Sequence, residues 1–197
     1  VNHRSAGSEL RYALENALKY RKPAAVLIDE AQHIAKIASG RKLQDQLDSL
    51  KSLANLSGVI LVLFGTYELL EARNLSAQLS RRSLDLHFKR YSITLPEDAK
   101  IFRNIVFTFQ HHLPLKQMPD LMSHWQYLFE RSLGCVGILK DWLTRSYAVS
   151  LEEQAETITL KHLEQEAMVL AQCRKVAEEI AEGEAQLAEK EEDRTRL

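Results

Sequence analysis

Cysteine, proline and glycine are scarce in this chain, with two, four and seven copies among 197 residues. The two cysteines, Cys135 and Cys173, provide neither a disulfide framework nor the spacing of a metal site. We interpret both as small buried residues in a reducing, cytoplasmic compartment. Long apolar runs are also missing, because no stretch approaches the ~20 residues that cross a bilayer. The sequence therefore predicts a protein without a membrane partner.

The formal net charge of −1 conceals an uneven distribution along the chain. Residues 1–92 carry 14 Lys or Arg and 9 Asp or Glu, whereas residues 93–197 carry 12 and 18. A basic half beside an acidic half is typical of a protein that binds a polyanion on one side. Ordinary surface charge gives the same asymmetry, so charge alone leaves both interpretations open.

The most informative stretch is the apolar run Ala25–Ile28, which ends in Asp29 and Glu30. Near-continuous apolar runs are typical of buried parallel strands. In open α/β sheets, ligands bind beyond the carboxyl ends of the strands. The two carboxylates therefore indicate a nucleotide site, with Asp29 as a candidate Mg²⁺ ligand. Alternatively, both acids simply begin a helix, whose N-terminus favours negative charge.

Apolar spacing predicts helices over 8–21 and 43–56 and a second buried strand over 59–64. Strand, helix and strand form a βαβ unit, whose strands are expected to be parallel. A polar connection over 30–42, a short helix around 67–72 and a third strand over 84–88 complete this half. Beyond residue 93 the expected helices span 96–112, 119–132, 136–150 and 160–181. The acid-rich end is expected to be a fraying helix or a solvated tail.

Polar residues also follow the second predicted strand. Thr66 comes directly after its end and should lie beside the acid pair, unless it is a plain turn residue after Gly65. Arg81 and Arg82 precede the predicted third strand. An arginine at such a position can stabilise charge on phosphoryl oxygens. The alternative is a surface pair bonded to a local carboxylate.

The segment from Ala25 to Phe88 resembles the AAA+ regulators of DNA transposition, the TnsC/TniB group, with MuB more distant. The matching pieces, besides the leucine-rich helix, are Ile28-Asp29-Glu30-Ala31-Gln32-His33, Gly40-Arg41-Lys42, Leu63-Phe64-Gly65-Thr66 and Gln78-Leu79-Ser80-Arg81-Arg82. One departure is Arg82-Ser83, where relatives often have Arg-Phe. That departure leaves the choice between the two arginines open.

The resemblance implies an α/β fold: a partial AAA+ P-loop ATPase core with parallel strands (1–92), an all-helical lid (93–181) and an acidic tail (182–197). It implies that Asp29 holds the Mg²⁺ of bound ATP and that Glu30 polarises the attacking water. Thr66 would be sensor 1, and Arg81 or Arg82 would reach the nucleotide of a neighbouring subunit. In the lid, Lys140 is the base nearest to the expected sensor-2 position, where Ile138 stands instead of an arginine.

The resemblance also implies partners. Relatives assemble as homo-oligomeric rings or filaments on duplex DNA and link target-selector proteins to the transposase. Lys36, Arg41 and Lys42 match the segment that grips DNA in those relatives. They would bind phosphates without reading sequence; the alternative is a solvated loop.

One part of a P-loop ATPase is missing, because G-x-x-x-x-G-K-[ST] occurs nowhere in the chain. Around Gly40, Ala35 stands in place of the first glycine and Leu43 in place of the hydroxyl residue. We therefore expect the chain to be the C-terminal part of a longer ATPase and to be inactive alone. Two alternatives are a secretion-linked AAA+ ATPase and a non-catalytic protein-interaction module.

Overall fold

The computed structural model describes residues 3–37, 41–70 and 83–188. They group into two compact units. The first comprises the residues up to Asp85 together with those from Gly183 on, and the second is Leu86–Glu182. The division into ATPase core, lid and tail is a statement about function and stays a prediction.

The first unit is built on a pair of parallel strands. Its elements are α1 (His3–Arg21), β1 (Ala25–Ile28), α2 (Gln32–Ile37), α3 (Arg41–Ser57) and β2 (Ile60–Leu63). Ala25 lies opposite Ile60, and Ile28 lies opposite Leu63. The predicted parallel strand–helix–strand arrangement is therefore confirmed. The predicted polar connection over 30–42 is wrong, because it contains α2 and the start of α3.

One face of this sheet carries the core of the first unit. Val26 and Leu61 are partners in the register and pack against buried Leu18, Leu53 and Val59. Leu18 comes from α1 and Leu53 from α3, so both helices cover the same side of the strands. The spacing of apolar residues predicted both helices, because the buried apolar residues of each helix lie on the side that packs against the strands.

The other face of the sheet is uncovered within the described residues. Leu27 and Ile60 are each 66% exposed, and Phe64, which alternates onto the same side, is 49% exposed. We call these three residues the open sheet face. Leu10 and Leu14 of α1 are also exposed, so the predicted apolar stripe of that helix is buried only in part.

The second unit is helical. Its elements are α4 (Pro96–His112), a 3₁₀ turn (Met122–His124), α5 (Trp125–Ser132), α6 (Val136–Glu152), α7 (Leu160–Glu166) and α8 (Leu170–Leu187), which continues beyond Glu182. Helix α4 has the predicted bounds, with Pro96 in its first turn followed by two acids. The core includes Phe102, Leu128, Leu139, Trp142 and Leu163, all at most 1% exposed.

The predicted third strand is wrong. Residues 83–92 contain neither helix nor strand, and the apolar side chains that alternate there, Leu84, Leu86 and Phe88, are largely or fully exposed. Alternation produces a strand only where a neighbouring strand takes up the backbone hydrogen bonds. Within the described residues, the sheet consists of β1 and β2 alone.

The single helix predicted over 160–181 is also wrong, because extended backbone at Ala167 separates α7 from α8. The Met168 carbonyl accepts a hydrogen bond from Arg131 Nη1 at 3.1 Å and another from the Cys173 thiol. These bonds from distant or later residues stabilise a break that apolar spacing does not show. Helix α8 then extends to Leu187, so the predicted tail begins as helix.

Gly183 and Tyr67 both belong to the first unit and lie in contact there. The ring of Tyr67 lies directly against the Gly183 backbone, at the place where a β-carbon would stand. Any other residue at this position would clash with the ring. The glycine therefore permits a close contact in a region for which the sequence predicted a fraying helix or a solvated tail.

Candidate active site

The residues that follow β1 and β2 meet at one edge of the sheet. The Phe64 N–H donates to the Ile28 carbonyl and the Ala31 N–H donates to the Phe64 carbonyl, both at 2.8 Å. The two strands thus remain paired beyond their last strand residues. This pairing places the exposed carboxylates of Asp29 and Glu30 next to the segment that leads to Thr66.

Glu30 lies at a sharp turn between β1 and α2. Its φ is +53°, in the left-handed region that residues with a side chain rarely adopt. The Glu30 N–H donates to Asp29 Oδ1 at 2.9 Å, and the Glu30 carbonyl accepts the His33 N–H at 3.0 Å. Such conformations cost about 1–3 kcal/mol and occur preferentially at functional sites. The turn therefore separates β1 from α2 directly at the acid pair.

Gln32 connects the acid pair to the end of β2. Its side chain is buried, with 4% exposed, and its Nε2 donates to Glu30 Oε2 at 2.5 Å. Its Oε1 accepts the Thr66 N–H at 3.4 Å. One carboxamide therefore contacts both candidate functional positions. Sequence reasoning included Gln32 in the family motif but assigned it no role.

Gly65 leaves the space that this carboxamide occupies. A β-carbon at Gly65 would lie 2.5 Å from Gln32 Oε1 and 3.2 Å from the Gln32 backbone nitrogen. Both distances are shorter than normal contacts between such atoms, so a larger residue would displace Gln32. A sequence signal could have identified Gln32. It consists of a polar residue directly after Asp-Glu-Ala together with a glycine at the end of the second strand.

The chemistry of the strand edge suits a nucleotide-bound magnesium ion. Mg²⁺ at nucleotide sites is held by one or two carboxylates together with phosphate oxygens and water. Asp29 is exposed at the strand end, and one of its two oxygens accepts the Glu30 N–H. Its other oxygen can serve a cation. Among the described residues there is no group of three or more His, Cys, Asp or Glu that forms a metal cage.

The remaining predicted residues lie elsewhere or outside the described atoms. Lys36 lies in α2, and Arg41 and Lys42 are the first two residues of α3. For these three residues the structure describes the backbone but not the side chains. Arg81 and Arg82 lie outside the described residues altogether. Lys140 is exposed on α6 in the second unit.

Comparison with known proteins identifies the class of the first region. Residues 2–72 match the AAA domain family, and this match contains both strands, Asp29, Glu30 and Thr66. It supports an AAA-type P-loop ATPase region, and AAA domains are typically ATP-binding. No curated protein matches the chain. In the described residues, no helix combines the length and apolar character needed to span a membrane.

Proposed function

We propose that the intact protein is an AAA+ ATPase that hydrolyses ATP at the edge formed by β1 and β2. The observation that carries the proposal is the meeting of Asp29, Glu30 and Thr66 at that edge, inside the segment that matches an AAA domain. Bound Mg²⁺ supplies charge neutralisation on the phosphates, and Asp29 would hold it. Glu30 would accept a proton from the attacking water, and Thr66 would contact that water.

The site as proposed needs parts that the described residues do not supply. These 197 residues do not contain the phosphate-loop motif, so in this proposal a segment outside them would supply that loop. Arg81 or Arg82 of a neighbouring subunit would stabilise charge on the phosphoryl oxygens. The open sheet face supports this proposal, because exposed apolar side chains on a sheet are commonly covered by further protein.

The substitution Glu30→Gln tests hydrolysis. The amide is nearly the same size but cannot take up a proton, so turnover by the intact protein should fall by about 10²–10⁴-fold, the contribution of a general base. Nucleotide affinity should stay within about two-fold of wild type, since ground-state binding does not need the lost proton acceptor. Phosphate release measures turnover, and a fluorescent ATP analogue measures affinity.

Glu9→Gln is the matched control, because Glu9 is an exposed glutamate on α1 away from the strand edge. It should leave turnover unchanged. Normal turnover of Glu30→Gln would remove Glu30 from the mechanism. The 197-residue chain alone should show no ATP binding by calorimetry. Micromolar affinity would contradict the expectation that ATP binding needs a phosphate loop outside these residues.

We further propose that this ATPase is a transposition regulator of the TnsC/TniB type. In this proposal it assembles as a homo-oligomer on duplex DNA and joins a target selector to a transposase. The support is the motif resemblance and the basic character of residues 1–92. Lys36, Arg41 and Lys42 would contact phosphates, and Lys140 would approach the nucleotide from the lid. The helical second unit is compatible with such a lid.

Replacement of Lys36, Arg41 and Lys42 by alanine tests the DNA contact. Affinity for two unrelated duplexes should fall alike, and the slope of log affinity against log salt should drop by up to about 0.9 per lost phosphate contact. Fluorescence anisotropy with ATP at several salt concentrations measures both. The control replaces Lys19, Arg21 and Lys89, three exposed basic residues outside that segment.

An equal loss in the control would indicate general charge attraction. A loss on one duplex only would indicate base readout. If the intact protein binds no DNA, the secretion-linked or partner-binding alternatives gain support instead.

A further inference from the structure

We propose that Gln32 is a positioning residue that couples the Glu30 carboxylate to the end of β2. In this proposal, a movement of the segment at Thr66 changes the position of the Glu30 carboxylate. The inference rests on the proposed ATP hydrolysis and concerns how that site is regulated. The geometry that carries it is a single buried carboxamide that contacts Glu30 at one end and Thr66 at the other.

The two ends of the carboxamide are not interchangeable. The Glu30 carboxylate can only accept hydrogen bonds, and the Thr66 N–H can only donate one. Nε2 must therefore face Glu30 and Oε1 must face Thr66; the reverse orientation would set two acceptors and two donors against each other. Because buried polar atoms without partners are costly, this orientation is strongly preferred.

The carboxamide is also confined. Gln32 begins α2, its neighbour Ala31 is 1% exposed, and the Gly65 backbone packs against Oε1. A displacement of Gly65 and Thr66 therefore moves or frees Oε1. Since the carboxamide is planar, Nε2 must shift with it, and the bond to Glu30 changes in length or direction. A ligand that engages the end of β2 thus alters the position of the Glu30 carboxylate.

The coupling is specific to glutamine at position 32. A leucine of similar size offers neither a donor nor an acceptor. A glutamate could accept the Thr66 N–H but at neutral pH would repel the Glu30 carboxylate. His33, the next residue, is exposed, and its backbone N–H donates to the Glu30 carbonyl. It therefore provides a neighbouring control position.

The test measures turnover and nucleotide affinity in the intact protein. Gln32→Leu should lower kcat about 10- to 100-fold through misplacement of the carboxylate, with KM for ATP within about two-fold. Gln32→Glu should lower kcat at least as much. His33→Ala should leave both constants unchanged. Thermal melts and circular dichroism establish that each variant is folded.

A double-mutant cycle with Glu30→Asp separates positioning from a merely structural role. The shorter carboxylate retains measurable turnover but withdraws from Nε2. Adding Gln32→Leu to Glu30→Asp should therefore lower kcat by less than two-fold. A structural role of Gln32 predicts the same loss in both backgrounds, and that result would overturn the inference.

Gly65→Ala is the second variant in case Gln32→Leu does not fold. It keeps the carboxamide but displaces it from Thr66, so kcat should fall with KM preserved. If Glu30→Asp impairs turnover while Gln32→Leu and Gly65→Ala do not, only the Gln32 inference fails. If the intact protein shows no turnover, the proposed hydrolysis fails and the inference with it. If Glu30→Asp leaves turnover unchanged, the role proposed for Glu30 fails, and so does the Gln32 inference that depends on it.

Discussion

Gly134→Ala is predicted to destabilise the second unit strongly. Helix α5 ends with Leu133 at φ +55°, and Gly134 follows at φ +73°. The Gly134 N–H donates to the Phe129 carbonyl at 3.2 Å, and the Gly134 carbonyl accepts the Tyr91 N–H at 3.0 Å. A β-carbon at this position would collide with the Tyr91 carbonyl oxygen and lie 3.1 Å from Phe129 Cζ.

Two costs determine the magnitude. Left-handed backbone at a residue with a β-carbon costs about 1–2 kcal/mol, and an added methyl in a packed site costs about 1–3 kcal/mol. Phe129 has little room to move, because its ring packs edge-on against buried Phe102 with centroids 4.7 Å apart. The total is about 2–5 kcal/mol. For a domain of this size, that corresponds to a melting temperature lower by roughly 10 °C or more.

Gly137→Ala is the matched control, because it makes the same chemical change three residues later in the sequence. Gly137 lies in the first turn of α6, and a β-carbon there meets no atom within 4 Å. The control should be neutral or more stable by up to about 1 kcal/mol. Thermal and urea denaturation followed by circular dichroism measure both variants. Equal stability of the two variants would refute the reasoning.

Two further predictions concern the second unit. Trp142→Phe removes the buried N–H that donates to the Leu163 carbonyl at 2.8 Å. The free energy of unfolding, measured by urea denaturation, should fall by about 1–3 kcal/mol. The control Trp125→Phe changes a half-buried ring and should lower it by less. Hydrogen bonds from His162 and Lys161 lower the pKa of Glu153 from its ordinary value of 4.5. The ionised carboxylate therefore stabilises the fold above that pH. This contribution is lost as the pH falls through the lowered pKa. The stability difference between wild type and Glu153→Gln, measured by urea denaturation across pH 3–7, should therefore shrink on the acid side; a constant difference would contradict it.

Local signals predicted the elements whose determinants are local. Pro96 and the acids behind it define the start of α4, since proline and negative charge both favour a helix N-terminus. The run Ala25–Ile28 with its following acids predicted β1 and the position of the candidate site. Parallel pairing followed from the helix between the strands, because a crossover connection leaves little alternative.

Elements that depend on distant partners were not predictable. Leu84, Leu86 and Phe88 alternate as a strand does, but a strand also needs a neighbour, and the sequence does not show whether one is available. The break before α8 depends on Arg131, which lies 37 residues away from Met168. Periodicity reports only which face of an element is apolar, so it cannot detect a helix that a distant hydrogen bond interrupts.

The candidate site also has a part that the sequence predicted and a part that it did not. The Asp-Glu pair is a local signal at a strand end, and its adjacency to Thr66 followed from strand order. Gln32 was missed because its importance arises only where two strand ends meet. Its burial and its bond to the Thr66 N–H are properties of the tertiary structure.

The open sheet face is much more exposed than the described core of the helical unit. In the second unit, Phe102 and Trp142 are nearly inaccessible, whereas Leu27 and Ile60 of the first unit remain two-thirds exposed. Burial contributes about 25 cal/mol per Å² of apolar surface, so covering the open sheet face would add stability to the first unit. The candidate site lies on that unit. A segment or subunit that covers the open sheet face would stabilise the strands whose ends carry Asp29 and Glu30. Because binding and order are thermodynamically linked, assembly and nucleotide affinity should then strengthen each other.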